Sequence, residues 1–162
     1  MVTGASAGIG AAIAQRLAAD GVDLVLVARR ADRLEDLAET WRSPLCRVDV
    51  IAADLTDAAD VERVARRLTD ADEPIDLLVN NAGLGHVGRF WEHPLDDATV
   101  QIATNIDALV RLTHAALGRM VPEGRGTVVN MSSIAGNQPA PGSAVYAATK
   151  AFVTNFTEGL AE

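Results

Sequence analysis

Lysine is almost missing from this sequence: Lys150 is the only one, and every other basic side chain is an arginine. Tyrosine is equally scarce, with Tyr146 its single representative. One cysteine, Cys46, cannot form an internal disulfide, which points to a reducing, cytoplasmic compartment. At the head of an apolar run, Cys46 reads as a small buried side chain. No apolar stretch approaches the roughly 20 residues that span a bilayer, and the start lacks the charged and apolar segments of a secretion signal. No membrane contact is therefore expected. His86, His93 and His114 do not fall at metal-ligand spacing and no cysteine accompanies them, so no metal site is expected. The net charge of −8, with arginines scattered along the chain, argues against a nucleic-acid surface.

What is present fits one globular domain over residues 1–162, with 49% hydrophobic and 22% charged residues. Val2-Thr3 leads into a glycine-rich turn, and Ile9 to Ala19 has helical spacing closed by Gly21. Leu24 to Ala28 is a continuous apolar run, as in a parallel strand covered on both faces. A helix from Ala31 to Trp41, a strand from Val48 to Ala53 and a helix from Ala58 to Leu68 follow, the last capped by Asp57. Ile75 to Val79 is a fourth strand, about Leu95 to Met120 one long helix, and Gly126 to Met131 a fifth strand. This alternation specifies an α/β, Rossmann-like, doubly wound parallel sheet of order 3-2-1-4-5, with the strands expected beyond these missing. Both ends look cut. The first strand has barely three residues where about five are usual, and the chain stops at Leu160-Ala161-Glu162 inside a helical pattern.

Tyr146 and Lys150 are four residues apart in a stretch that reads as helix, so phenol and ammonium share one face. An ammonium near a phenol favours the phenolate, which suits a proton donor to an alkoxide. Thr3-Gly4-x-x-x-Gly8-x-Gly10, between the first strand and first helix, lets the backbone approach a pyrophosphate resting on the helix N-terminus. About twenty residues on, an acid would hold the ribose hydroxyls of NAD; here stand Arg29 and Arg30, suited to a 2′-phosphate. NADP(H) is thus expected in preference to NAD(H). Ser133, just beyond the carboxyl end of the fifth strand, could polarise a substrate carbonyl.

Taken together, these motifs resemble the short-chain dehydrogenase/reductase family, in its main NAD(P)-dependent oxidoreductase branch, along essentially the whole chain and in the expected order. The cofactor loop Thr3 to Gly10, Ala53-Asp54-Leu55, Asn80-Asn81-Ala82-Gly83, Thr104-Asn105-Ile106, the segment Val129 to Gly136, and Tyr146 with Lys150 carry the resemblance. It implies a catalytic set of Asn105, Ser133, Tyr146 and Lys150. It implies cofactor contacts from Gly4, Ser6, Gly8, Ile9, Gly10, Arg29, Arg30, Asp54 (to adenine), Leu55, Asn81, Ala82 and Gly83, and from Tyr146 and Lys150 themselves. Asn105 could hold a water that relays protons to Lys150, or satisfy a kink in the long helix. Family spacing selects Ser133 over Ser132, which would point to the opposite side. The resemblance further implies hydride transfer between NADP(H) and a small-molecule carbonyl/alcohol pair, and a homodimer or homotetramer built through the long helix and the Tyr146/Lys150 helix.

Two alternatives remain open on sequence. One is a 3-oxoacyl thioester reductase of lipid synthesis, whose acidic carrier would be met by Arg89, Arg119 or Arg125. The other is a cofactor-binding sensor without turnover, which would tolerate loss of Tyr146 or Lys150, although both are present. His86 reads either as a substrate contact or as an exposed loop histidine, and Phe90 and Trp91 as packing for the start of the long helix. Gln138, Pro139, Pro141 and Gly142 would flank substrate and leave it space.

Overall fold

The computed structural model describes residues 1–160; the last two residues of the closing helical pattern, Ala161 and Glu162, lie outside the described residues. Five strands form one parallel sheet, β1 (Val2–Thr3), β2 (Leu24–Ala28), β3 (Val48–Ala52), β4 (Leu77–Asn80) and β5 (Thr127–Asn130), in the order β3-β2-β1-β4-β5. The order agrees with the expectation from sequence. Alternate residues of a strand face opposite sides of its sheet. In β2, Leu24, Leu26 and Ala28 accordingly enter one apolar cluster while Val25 and Val27 enter the other. That is why the run needs no polar positions, and each leucine or valine contributes about 2 kcal/mol by leaving water.

Helices α1 (Gly8–Ala19) and α2 (Ala31–Trp41) cover one face, through Ala14, Leu34 and Ala38. Helix α3 (Ala58–Leu68) covers the other through Val61, Val64 and Leu68. As expected, the Asp57 carboxylate caps α3, accepting from the amides of Ala59 at 2.8 Å and Asp60 at 3.0 Å. The long helix is interrupted. α4 (Leu95–Ile102) and α5 (Leu109–Glu123) are joined by a π-helical segment, Ala103–Ala108. A wider turn of this kind is a local cost that needs compensation, and it is the turn that carries Asn105. Finally α6 (Ala144–Gly159) packs against α4 and the π segment.

Phe90 and Trp91 do not bury themselves against the start of the long helix; they are 55% and 78% exposed. They occupy a short 3-10 turn, Phe90–Glu92, ahead of α4, where Phe90 borders a small hollow shared with Asp97, Ala98 and Gln101.

Candidate active site

The carboxyl end of β1 is fastened to the loop after β4. The Thr3 hydroxyl accepts from the amides of Asn81 and Ala82, each at 3.0 Å, and the Asn81 side-chain amide donates to the Thr3 carbonyl at 3.0 Å. Gly4 follows at φ +67°, and a methyl group there would lie 2.9 Å from the Ala82 Cα. Only glycine takes that angle without strain and allows that approach. Gly10 is buried beneath Asn81, where it packs helix α1 onto the sheet and is not on the cleft wall. One turn earlier, Ala7 offers α1 no side-chain cap, and Ala7 and Ile9 are on the cleft wall. Across β4 and β5 a polar ladder steadies the same edge. The Asn80 amide donates to the Thr113 hydroxyl at 3.0 Å and to Asn130 Oδ1 at 2.9 Å, and Asn130 donates to the Thr157 hydroxyl at 3.0 Å.

Tyr146 and Lys150 project from α6 toward this edge. Lys150 is 5% exposed, its Nζ donates to the Met131 carbonyl at 2.6 Å, and it stands 5.9 Å from the centre of the Tyr146 ring. Burial pushes its pKa below the usual lysine value of 10.5. The Tyr146 ring lies flat against the loop at Gly85, where an added methyl would come within 2.7 Å of Cδ2. Gly83 separates Asn105 from Lys150: a methyl there would meet Asn105 Oδ1 at 3.3 Å and Lys150 Nζ at 3.4 Å.

Asn105 itself does not line the cleft. It is 1% exposed, its Oδ1 accepts from the Leu84 amide at 3.0 Å, and its Nδ2 donates to the Leu84 carbonyl at 2.9 Å and to the Thr149 hydroxyl at 3.0 Å. Both Nδ2 hydrogens are in use and these bonds compensate the π turn, while Oδ1 keeps a second lone pair. Thr149, which in turn donates to the Tyr146 carbonyl at 2.8 Å, went unnoticed in the sequence although it sits three residues from Tyr146 on the same helix. The two serines differ in their bonds, and it is Ser132 that lines the cleft. Ser132 Oγ donates to the Lys150 carbonyl at 2.9 Å and meets Thr154 Oγ1 at 2.7 Å, so its hydroxyl is consumed by α6. Ser133 Oγ accepts from the Ala135 amide at 3.2 Å, which leaves its O–H free to donate.

An open cleft of about 730 Å³ brings together Gly4, Ser6, Ile9, Arg30, Asn81 to Gly83, Tyr146 and Lys150. Ser132 is on its wall, whereas Gly8 and Ser133 are not. Gly4, Ser6, Arg30, Ala82 and Gly83 also border a neighbouring hollow of about 160 Å³ that adds Arg29, Asp54 and Leu55. The two form one trough along the carboxyl ends of the strands, where ligands bind in open α/β sheets. Arg30 Nη2 donates to Ser6 Oγ at 3.1 Å, which joins the second-strand arginines to the glycine loop. Asp54 Oδ1 holds the Thr56 amide and hydroxyl at 3.0 and 2.8 Å. A further depression of about 630 Å³, around Val22, Arg47 and Glu73, opens at the opposite, amino-terminal edge and has none of these groups. Arg119 and Arg125 are also at that far edge: Arg119 is buried, donating to the Ile75 carbonyl and pairing with Glu123, and Arg125 pairs with Asp76 and Glu123. Both lie away from the cleft: Arg119 is buried, fastening α5 to the start of β4, and Arg125 is in exposed ion pairs at the same edge. Among the described residues no group of three or more acidic, histidine or cysteine side chains could hold a metal ion.

A parallel sheet of this order, with a glycine cradle at β1 and a continuous trough across the switch in strand order, defines a dinucleotide-binding α/β protein. The comparisons narrow that class: the family model for short chain dehydrogenase matches residues 1–162, and the chain belongs to that family. It is 42% identical over 162 residues to sulfoacetaldehyde reductase 2 of Chromohalobacter salexigens, matching 99% of this chain and 64% of that protein. To serine 3-dehydrogenase of Rhizobium radiobacter it is 38% identical over 161 residues, 99% of this chain and 63% of the relative. A solved short-chain dehydrogenase from Sphingobium yanoikuyae in complex with NADPH superposes with a TM-score of 0.93 at 43% identity, covering 98% of this chain and 62% of that one. The chain thus spans somewhat less than two thirds of the length of these relatives.

Proposed function

We propose that this chain carries the hydride-transfer centre of an NADP(H)-dependent oxidoreductase that interconverts a carbonyl and an alcohol. The observation that carries the reading is the single trough with a phosphate cradle and arginines at one end and Tyr146 beside a buried Lys150 at the other. The residues fit the cofactor. Gly4 leaves the space a side chain would fill, α1 starts without a side-chain cap, and Arg30 is already drawn to Ser6 at the cradle. Gly4, Ser6, Gly8 and Ile9 would hold the pyrophosphate, with Gly10 setting the helix against the strand. Arg29 and Arg30 would take the 2′-phosphate, and Asp54 and Leu55 the adenine. Asn81, Ala82 and Gly83 would border the nicotinamide half, whose ribose would meet Tyr146 and Lys150. The solved relative in complex with NADPH supports the phosphorylated form. When bound, NADP(H) supplies or accepts the hydride.

The remaining chemistry is the protein's. Tyr146 gives its proton to the carbonyl oxygen as that oxygen becomes an alkoxide, and takes it back in the reverse direction. Lys150, fixed by the Met131 carbonyl, keeps a positive charge beside the phenol. Ser133 donates its free O–H to the same substrate oxygen. Asn105 acts through Leu84 and Thr149, holding the loop against which the Tyr146 ring rests.

The test uses the full-length native protein. NADPH and NADH are titrated separately, and carbonyl substrates are then screened by loss of nicotinamide absorbance. NADPH is expected to bind at least about tenfold more tightly, the worth of one charge-assisted hydrogen bond. Tyr146→Phe is expected to lower kcat by about 10²–10⁴-fold, the usual contribution of a positioned general acid. Tighter NADH binding sinks the role of Arg29 and Arg30; unchanged turnover in Tyr146→Phe sinks the proton-transfer role.

A further inference from the structure

The loop after β4 lies along one stripe of the long helix, and its contacts with that stripe alternate. Leu84 is held by Asn105, which accepts from its amide at 3.0 Å and donates to its carbonyl at 2.9 Å. Two residues on, the His86 amide donates to Gln101 Oε1 at 3.4 Å, and the His86 imidazole Nδ1 stands 4.0 Å from Asp97 Oδ2. Two residues further, the His93 imidazole fills the space that a side chain at Gly88 would need. His93, Asp97, Gln101 and Asn105 are spaced four positions apart. Four residues advance a helix by about 6 Å, and two residues advance an extended chain by about 6.6 Å. The near-match lets the loop run antiparallel to the stripe with Leu84 and His86 bonded to it. Gly85, between them, is turned the other way, toward α6.

Gly85 is where the Tyr146 ring rests: a methyl there would meet ring Cδ2 at 2.7 Å and Cγ at 2.9 Å. The position of the ring therefore depends on how the loop is held on either side of Gly85. Asn105 fixes the Leu84 side. On the other side, Gln101 is the hydrogen-bond partner of the His86 amide. Gln101 is 3% exposed, and its Nε2 is spent on the Asp97 carbonyl of its own helix at 3.1 Å. A buried carboxamide is costly unless it is bonded, and the bond that Gln101 makes outside its helix is the one to His86. At 3.4 Å that bond is long and adds little to stability. Its use is directional, because it fixes which way the peptide after Gly85 faces.

We infer that Gln101 is a positioning residue for Tyr146: through the His86 amide it sets the level of Gly85, and so the seat of the phenol ring between that loop and Lys150. The inference rests on the hydride-transfer reading for what the phenol does, and on the geometry alone for the seat. Gln101→Met keeps the length and the apolar stem of the side chain and removes both of its hydrogen-bonding groups. Gly85→Ala leaves Gln101 in place and pushes on the same ring from the loop side, so the seat is tested even if Gln101→Met does not fold.

Two measurements on the full-length native protein separate the seat from the reaction. In the first, Gly85 Hα resonances are followed by NMR without cofactor. The Tyr146 ring current is expected to hold them upfield of ordinary glycine positions, and Tyr146→Leu identifies that displacement by abolishing it. In Gln101→Met the resonances are expected to collapse toward their positions in Tyr146→Leu. In the second, turnover of benzaldehyde with NADPH is compared. Gln101→Met and Gly85→Ala are each expected to lower kcat by about tenfold or more, toward the roughly 10²-fold that a misplacement of about 1 Å costs. The dissociation constant of NADPH is expected to stay unchanged, and the double variant to lose less than the product of the two single losses, since both act on one contact. Gly85 resonances unmoved in Gln101→Met, a kcat indifferent to either substitution, or losses that simply multiply overturn the inference. So does a loss of NADPH affinity in step with kcat, which would make Gln101 general scaffolding. Collapse of the Gly85 shift in a protein whose unaltered form turns over no carbonyl substrate upholds the seat and removes the hydride-transfer reading instead.

Discussion

At the scale of single residues, Lys150 is held in an environment that penalises its own charge. It is buried, bonded only to the Met131 carbonyl, and its pKa is lowered from 10.5 by loss of hydration. The lowered value has a consequence for stability with a definite sign. Between the folded value and 10.5 the unfolded chain binds more protons, so stability rises with pH through that window. Below the window both states are protonated and the cost of burying the ammonium is present in full. Lys150→Met keeps the stem and removes the charge. It is expected to flatten the rise in urea midpoint as pH approaches 10.5 from below while reducing turnover at least about 10²-fold, a general acid–base magnitude. Urea midpoints of the two proteins that rise in parallel across that range would contradict the account of burial. Full activity in the variant would contradict the account of function.

At the scale of elements, the loop after β4 and the long helix behave as one unit through Asn105. Three hydrogen bonds join its side chain to Leu84 and Thr149, and the π segment Ala103–Ala108 is the distortion that presents it. Replacement by leucine leaves the Leu84 amide and carbonyl without partners, at about 1–3 kcal/mol for each group so orphaned. Asn105→Leu is expected to lower stability by about 2 kcal/mol or more and to speed amide hydrogen exchange at Leu84 and Gly85, with turnover falling as Tyr146 loses its rest at Gly85. Exchange rates like those of the native loop would leave Asn105 without this role. The same unit marks what could be read from sequence. Apolar periodicity gave β2 and the amphipathic helices, because their pattern depends on which sheet face each residue meets. The rarity of Tyr146 and Lys150 drew attention to α6. A kink at Asn105 is one of the two readings open on sequence, but its partner is not legible there, since it is the Leu84 backbone 21 positions away. Burial of Arg119 was equally illegible, because an arginine in a helix looks solvated until the strand it bonds to is known. Spacing to Tyr146 alone favours Ser133 over Ser132 on sequence; the bonds of Ser132 to α6 become legible only in the fold.

At the scale of the whole molecule, acidity and apolar surface are unevenly distributed. The carboxylates are kept out of the cleft, while α6 turns a plain apolar stripe outward: Ala144, Ala148 and Phe152, four residues apart, are all exposed. Phe152 is further stiffened by stacking on Phe156, with ring centres 5.6 Å apart. A helix normally turns such a stripe toward a core, and here the core-facing side of α6 is the other one, with Ala147, Lys150 and Val153 buried. Small residues at Ala144 and Ala148 would let a second helix approach closely, and Phe152 would supply the anchoring area that interface centres favour. Association of two copies through this stripe agrees with a homodimer or homotetramer, and it would place two α6 helices, each with its Tyr146 and Lys150, back to back. Sedimentation of the full-length native protein at micromolar concentration is expected to give a dimer or tetramer. Phe152→Glu is expected to weaken that association by at least about tenfold, since burying an unpaired carboxylate costs well over 1.4 kcal/mol. A protein that sediments as a monomer throughout, or one whose assembly is indifferent to Phe152→Glu, would move the interface elsewhere and leave the stripe on α6 as ordinary surface.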